Sequence, residues 1–162
     1  MLPAVARTQK SSNTAVKQAG IKIRRAKSSD AARIAELAGQ LGYPATRAKI
    51  AQRLRKINPP SHHAVLVAES QDRNVVGWLH VSVSPLLEVQ LRAEVNGLVV
   101  ENEERSRGTG ALLLRAAEAW ARSRGCKSMS VRSNIIRDRA HHFYLRHGYE
   151  HYKTQKAFRK SL

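Results

Sequence analysis

Between Leu98 and Ala111 the chain reads LVVENEERSRGTGA, and this stretch narrows the fold more than any other. A β-branched apolar run, Leu98-Val99-Val100, meets an acidic turn, Glu101 to Glu104. The basic, glycine-containing turn Arg105-Ser106-Arg107-Gly108-Thr109-Gly110-Ala111 follows and opens into a helical segment, Leu112 to Arg124. A strand, a turn with outward backbone amides and a helix N-terminus form an anion cradle. Glycine lets an anion approach the backbone and tolerates dihedrals that other residues avoid. The helix dipole adds roughly half a positive charge, and Arg105 and Arg107 add full ones.

The spacing excludes the two commonest phosphate loops. There is neither Gly-x-Gly-x-x-Gly nor Gly-x-x-x-x-Gly-Lys-Ser/Thr. What stands here is Arg-x-x-Gly-x-Gly, starting five residues after Val100.

At 162 residues, the chain suits one domain with an ordinary core. No apolar run approaches the ~20 residues of a membrane span, and the N-terminus lacks the apolar stretch of a secretory signal. The single cysteine, Cys126, allows no internal disulfide, so a reducing cytoplasm is the expected setting; Cys126 reads as a small buried residue. The net charge of +17 calls for an anionic partner. One acidic small molecule does not require so much charge, so a nucleic-acid or acidic-protein partner stays open as a second reading.

Residues 1–19 contain no acid and little periodicity and are expected to be a flexible basic tail, with the domain spanning 20–162. Ile21 to Arg24 alternates as a strand does. Ser28-Ser29-Asp30 offers helix caps, and Ile34, Leu37, Ala38 and Leu41 form a helical stripe. A second helix is expected from Thr46 to Ile57, broken at Asn58-Pro59-Pro60. Strands follow at His63–Glu69, Val75–Val83 and from Ala93 to Val100. A third helix carries Leu113, Ala116, Ala117 and Trp120 on its apolar stripe. Lys127–Arg132 alternates again. A fourth helix is expected over Arg137–Arg146, with Ala140, Phe143 and Tyr144 inward, and Tyr149–Phe158 reads as a final extended stretch. The order predicts an α/β (α+β) domain with a hairpin region followed by a β–α–β crossover.

The loop, this element order and the segment Ala140-His141-His142-Phe143-Tyr144-Leu145-Arg146-His147-Gly148-Tyr149 together resemble the GNAT superfamily of N-acetyltransferases over about residues 20–162. The resemblance implies a mixed, mostly antiparallel central sheet flanked by about four helices. It implies acetyl-CoA as cosubstrate and transfer of its acetyl group to a primary amine by direct attack. In that family the loop amides hold the CoA pyrophosphate, which points to Arg107, Gly108, Thr109, Gly110 and Ala111 with Arg105 close by. The preceding strand pairs with the pantetheine arm, which points to Leu98, Val99 and Val100, the amide of Val100 or Val99 polarising the thioester carbonyl.

Acetyl transfer needs a base for the ammonium and an acid for the departing thiolate. Tyr144 matches the family tyrosine near the CoA sulfur, and a phenol is protonated at neutral pH. For the base, Glu94, His80 and ordered water all stay open. The family's pantetheine-holding Asn falls here at Arg137; Asn134, three residues earlier, takes that role or Arg137 meets a phosphate. The segment from Ser133 to Tyr149 is similar to members acting on small amines such as aminoglycosides and aminoalkylphosphonates, which implies a small polar amine as substrate. A protein or peptide acceptor is the further variant. Paired subunits are common in the family, so a homodimer is one expected state. His62-His63 and His141-His142 diverge on a strand or helix and lack zinc spacing, so no metal is expected.

Overall fold

The computed structural model describes residues 20–57 and 62–162. The expected tail, 1–19, and the Asn58-Pro59-Pro60 break lie outside the described residues. The elements are β1 (Lys22–Arg25), α1 (Ala31–Gln40), α2 (Arg47–Ile57), β2 (His63–Glu69), β3 (Val75–Val83), β4 (Arg92–Val100), α3 (Thr109–Ser123), β5 (Ser128–Val131) and α4 (Asp138–Arg146). One five-stranded sheet runs β1-β2-β3-β4-β5; its first four strands are antiparallel, and β5 is parallel to β4. This is the mixed, mostly antiparallel sheet with four helices that the sequence implied.

Strand alternation decides which helix covers which face. Leu66, Leu79 and Leu98 are cross-strand partners and join Leu113, Leu114 and Ala117 of α3 in one core. Val67, Trp78 and Val99 point to the other face, where Ile34 and Leu37 of α1 and Leu54 of α2 meet them. Leu37, Leu79 and Leu113 are fully buried, each contributing roughly 2 kcal/mol. On α3 the fully buried positions are Leu113 and Ala117, as expected, together with Leu114 and Ala121; Ala116 and Trp120 are only partly covered. Cys126 is buried, and burial pushes its thiol up.

Two arginines fasten α1 to the sheet. Arg24 of β1 holds Asp30, just before α1, at 2.7 Å and Glu69 of β2 at 2.6 Å. Burial works to raise the Asp30 carboxyl, but Arg24 and the Lys27 amide outweigh it and hold it below the usual range. Arg33 of α1 donates to the Val75 carbonyl at 2.9 Å and pairs with Glu101, the residue that leaves β4. The start of the glycine loop is thereby tied to α1.

One expected element is absent. Residues 150–162 form no strand and lie exposed. Tyr152, Phe158 and Leu162 would share one face of a strand, but Thr154, Lys156 and Lys160 interrupt it, so the segment has no continuous apolar stripe to lay on the sheet. Among the described residues no helix is long and apolar enough to cross a membrane.

Candidate active site

The cradle is built where β4 ends. Gly108 caps α3 with φ 85°, and Ser106 also takes a positive φ of 65°. These turns curl the chain so that successive amides face outward. The N–H groups of Ser106, Gly108, Thr109, Gly110 and Ala111 make no hydrogen bond to the protein among the described residues. The first internal bond of α3 runs from the Leu112 N–H to the Gly108 carbonyl, 3.1 Å. Helix N-termini always leave such donors, and this loop adds more just ahead of them. The Thr109 side chain is buried, so this residue offers its backbone amide.

The arginines divide their work. Arg105 Nε donates to the Val100 carbonyl at 3.0 Å, binding the loop to the strand. Arg107 is exposed and pairs with Glu104 at 3.2 Å. Arg139 of α4, which sequence reasoning missed, reaches the loop and donates to Ser106 Oγ at 3.2 Å. Its signal was weak: one cation in a cationic chain.

The glycines also divide. Gly108 is needed for its left-handed backbone. Gly110 is helical; a Cβ there would lie 3.3 Å from the Phe143 ring and 3.7 Å from Val100. The close approach of α4 is thus a second reason for glycine there, beside the approach of an anion.

Beside the cradle, β4 and β5 part. Their pairing covers Arg92–Val95 against Ser128–Val131 and then stops, leaving the outer edge of β4 open from Asn96 to Val100. Asn96 is the extra residue of a bulge: His80 pairs with Gly97 while Val81 pairs with Val95. The Glu101 N–H bonds to the Val76 carbonyl at 2.8 Å, towards β3. Antiparallel alternation then turns the Val99 amide towards β3 and those of Leu98 and Val100 to the open side. Of the two amides left open by the sequence, Val100 is the one so placed.

Tyr144 reaches this region through α4. Phe143 packs on Gly110, and Tyr144 packs on Phe143 with ring centroids 5.3 Å apart and on Tyr149 at 5.6 Å. Burial pushes the Tyr144 phenol up to about 12, against a smaller opposing pull from Arg137. Its hydroxyl has no hydrogen-bond partner among the described residues. Tyr149, by contrast, donates to Glu118 at 3.2 Å. A groove of about 1240 Å³ runs along β5 between α4 and residues 148–157. Tyr144 and Asn134 line it; residues 98–100 and 105–111 do not. The expected site residues thus fall into two sets, joined by the Gly110–Phe143–Tyr144 contact. The unpaired backbone donors lie at the open split and not in the groove.

Arg137 Nη2 donates to the Leu41 carbonyl at 2.7 Å, tying the end of α1 to the start of α4. Asn134 is exposed and its Oδ1 accepts from the Ile136 amide at 3.2 Å. Glu94 Oε1 pairs with Arg132 Nε at 2.6 Å. His80 lies on the same sheet face as Glu94, with His63 Nδ1 3.1 Å from its Nε2. Burial pushes His80 down to about 4, with His63 adding to the effect. Asn96 Nδ2 donates to Ser82 Oγ at 2.7 Å. Arg132, Ser82 and Asn96 were missed by sequence reasoning; polar residues alternating on apolar strands were the available signal. Among the described residues, no group of three or more His, Cys, Asp or Glu side chains is placed to hold a metal ion.

Comparison with known proteins agrees with this fold. The model of the acetyltransferase (GNAT) family matches residues 31–149. An aminoalkylphosphonate N-acetyltransferase of Salmonella typhimurium is 32% identical over 124 residues, 75% of this chain and 77% of that one. A type 1 aminoglycoside N(6')-acetyltransferase of Klebsiella aerogenes is 30% identical over 102 residues, 61% of this chain and 67% of that one. Among solved structures, an aminoglycoside N-acetyltransferase in complex with CoA superposes with a TM-score of 0.78 at 18% identity, covering 88% of this chain and 95% of that one.

Proposed function

Because the chain belongs to the acetyltransferase (GNAT) family, we propose that it moves the acetyl group of acetyl-CoA to the primary amine of a small polar molecule by direct attack. The observation that carries this reading is the run of unsatisfied amides at Ser106 and Gly108–Ala111 beside the open edge of β4. The amides and Arg107 take the diphosphate, with Arg139 beside them. The backbone of Leu98 and Val100 pairs with the pantetheine amides, and the Val100 N–H polarises the thioester carbonyl as it turns tetrahedral.

Tyr144 gives its phenolic proton to the departing thiolate. A phenol displaced upward to about 12 is protonated at any physiological pH, and a buried thiolate is a strong enough base to take the proton in the transition state. Glu94 receives the ammonium end of the acceptor and the proton it sheds, directly or through water. Asn134 remains the candidate for steadying the pantetheine from the β5 side. CoA supplies an already activated acyl group, so no enzyme nucleophile is needed. Residues 20–162 act as one domain in this reading, in the cytoplasm.

The test is release of free thiol from acetyl-CoA across polyamines, aminoglycosides, aminophosphonates, amino acids and basic peptides. Release that depends on the amine supports the reading; tight CoA binding with no release overturns it. A basic binding module is the second reading. It draws on the net charge of +17 and on α2, whose Arg47, Lys49, Arg53, Arg55 and Lys56 are exposed on a helix without an acid. It predicts nucleic-acid binding with steep salt dependence and no thioester cleavage.

A further inference from the structure

One sheet face ends in a polar row. His63 pairs with Ser82, Ser82 with Glu94, and Glu94 with Ser130, so four adjacent strands each place a polar residue in one line. The next line inward is Val65, His80 and Gly97, and the one after is Val67, Trp78 and Val99. The latter is covered by α1 and α2; the polar row lies outside that core. On the opposite face the matching line is Ala64, Val81, Val95 and Val131, all in or against the α3 core. A sheet that needed only to pack would not run polar groups across four strands on one side. The row lies one residue short of Val95 and Val131, the last paired residues before the strands part.

The row holds one carboxylate and one cation close together. Glu94 is mostly covered, with 27% of its side chain exposed, whereas Arg132 is 80% exposed at 2.6 Å from it. Six of the other acids are already committed. Asp30 and Glu69 belong to Arg24, Glu36 and Glu101 to Arg33, Glu104 to Arg107, and Glu118 takes the Tyr149 hydroxyl. Glu88, on the connection from β3 to β4, is the nearest other acid by sequence. An acceptor with several ammonium groups would meet few uncommitted carboxylates in a chain of net charge +17, and long-range repulsion would oppose it.

Resting on the transferase reading, we infer that the acceptor is a primary amine that also carries an anionic group, and that Glu94 takes its ammonium end while Arg132 takes its anion. Such a molecule replaces both halves of the existing ion pair. A plain amine satisfies Glu94 and strands Arg132; a polycation does so and adds repulsion. Ser82, Asn96 and the His63–His80 pair supply hydrogen-bonding groups for the body of the acceptor. Arginine suits carboxylate and phosphonate alike through its planar fork.

The experiment compares acetyl-CoA turnover by the full chain on matched acceptors: propylamine, β-alanine, 2-aminoethylphosphonate, spermidine and an aminoglycoside, with CoA binding measured by calorimetry. The expected result is a kcat/KM at least about tenfold higher for β-alanine or the phosphonate than for propylamine, spermidine or the aminoglycoside. The two anionic arms show which anion is preferred. Arg132→Gln should collapse that ratio through KM, and Arg132→Lys should recover part of it. A preference for spermidine or the aminoglycoside, or a ratio unchanged in Arg132→Gln, overturns the inference and leaves the transferase reading standing. CoA binding without turnover of any amine overturns both.

Discussion

Replacing Gly108 separates charge from backbone strain. Asn and Asp both tolerate the left-handed region better than other side chains, so either fits φ 85° at similar cost. They differ by one negative charge at the mouth of the cradle. A carboxylate on residue 108 would lie about 5 Å from a diphosphate held by the amides of residues 109–111. Coulomb's law gives about 3 kcal/mol at an effective dielectric of ~20 and about 1 kcal/mol in bulk water. The loop is half-exposed, so the Asp variant should bind CoA about 5- to 150-fold more weakly than the Asn variant. The Asn variant itself should lose less than about tenfold, because the amides remain. The assay is calorimetric titration with CoA at low salt, repeated near 1 M salt, where a Debye length of ~3 Å should narrow the gap. Melting temperatures of the two variants should agree. Equal CoA affinities for Asn and Asp at low salt would refute the placement of the diphosphate.

Tyr144→Phe should lower kcat by about 100-fold, within the usual range for a lost general acid, while CoA affinity changes little; an unchanged kcat would remove Tyr144 from the chemistry. With the phenol at about 12, no alkaline loss of activity below pH 10 should vanish in that variant. Gly110→Ala puts a methyl 3.3 Å from the Phe143 ring and should cut kcat about tenfold by moving its neighbour Tyr144, with a smaller effect on CoA binding; full activity in a stable variant would contradict this. His80 binds its proton less readily folded, at about 4, than unfolded, at ~6.5. Its contribution is therefore complete above pH ~6.5 and is lost as pH falls towards 4, by about 3 kcal/mol in all. Urea denaturation at pH 7 and pH 4.5 should show a shallower fall for His80→Gln; an identical fall would place the acid sensitivity elsewhere.

The elements that position the site were legible because their periodicity is local. His63–Glu69 and Val75–Val83 form as the alternation predicts, and Gly108 caps α3 as the loop chemistry requires. What escaped depends on pairing across the chain. The bulge at Asn96 resets which face Glu94 shares with Ser82 and His80, and no local pattern announces it. Gly110 could be read as a phosphate glycine, but its contact with Phe143, 33 residues away in sequence, could not be read. Arg137 could be read towards a phosphate, but its bond to the Leu41 carbonyl depends on the fold and was not legible. The stretch 149–158 has no continuous apolar face, and in the fold no strand forms there. Tyr144 and Glu94 were readable as residue types in the right order, whereas the Glu94–Arg132 pair emerges only from the register of β4 and β5.

The account stands on the amides around the glycine turn and the free edge of β4. Residue-resolved amide hydrogen exchange, with and without saturating CoA, tests both together. Slower exchange at Leu98 and Val100 and at Gly108 to Ala111, with Val99 already protected by β3, is the predicted result. Unchanged exchange at these positions, with protection appearing only along β5 and residues 148–157, would contradict it.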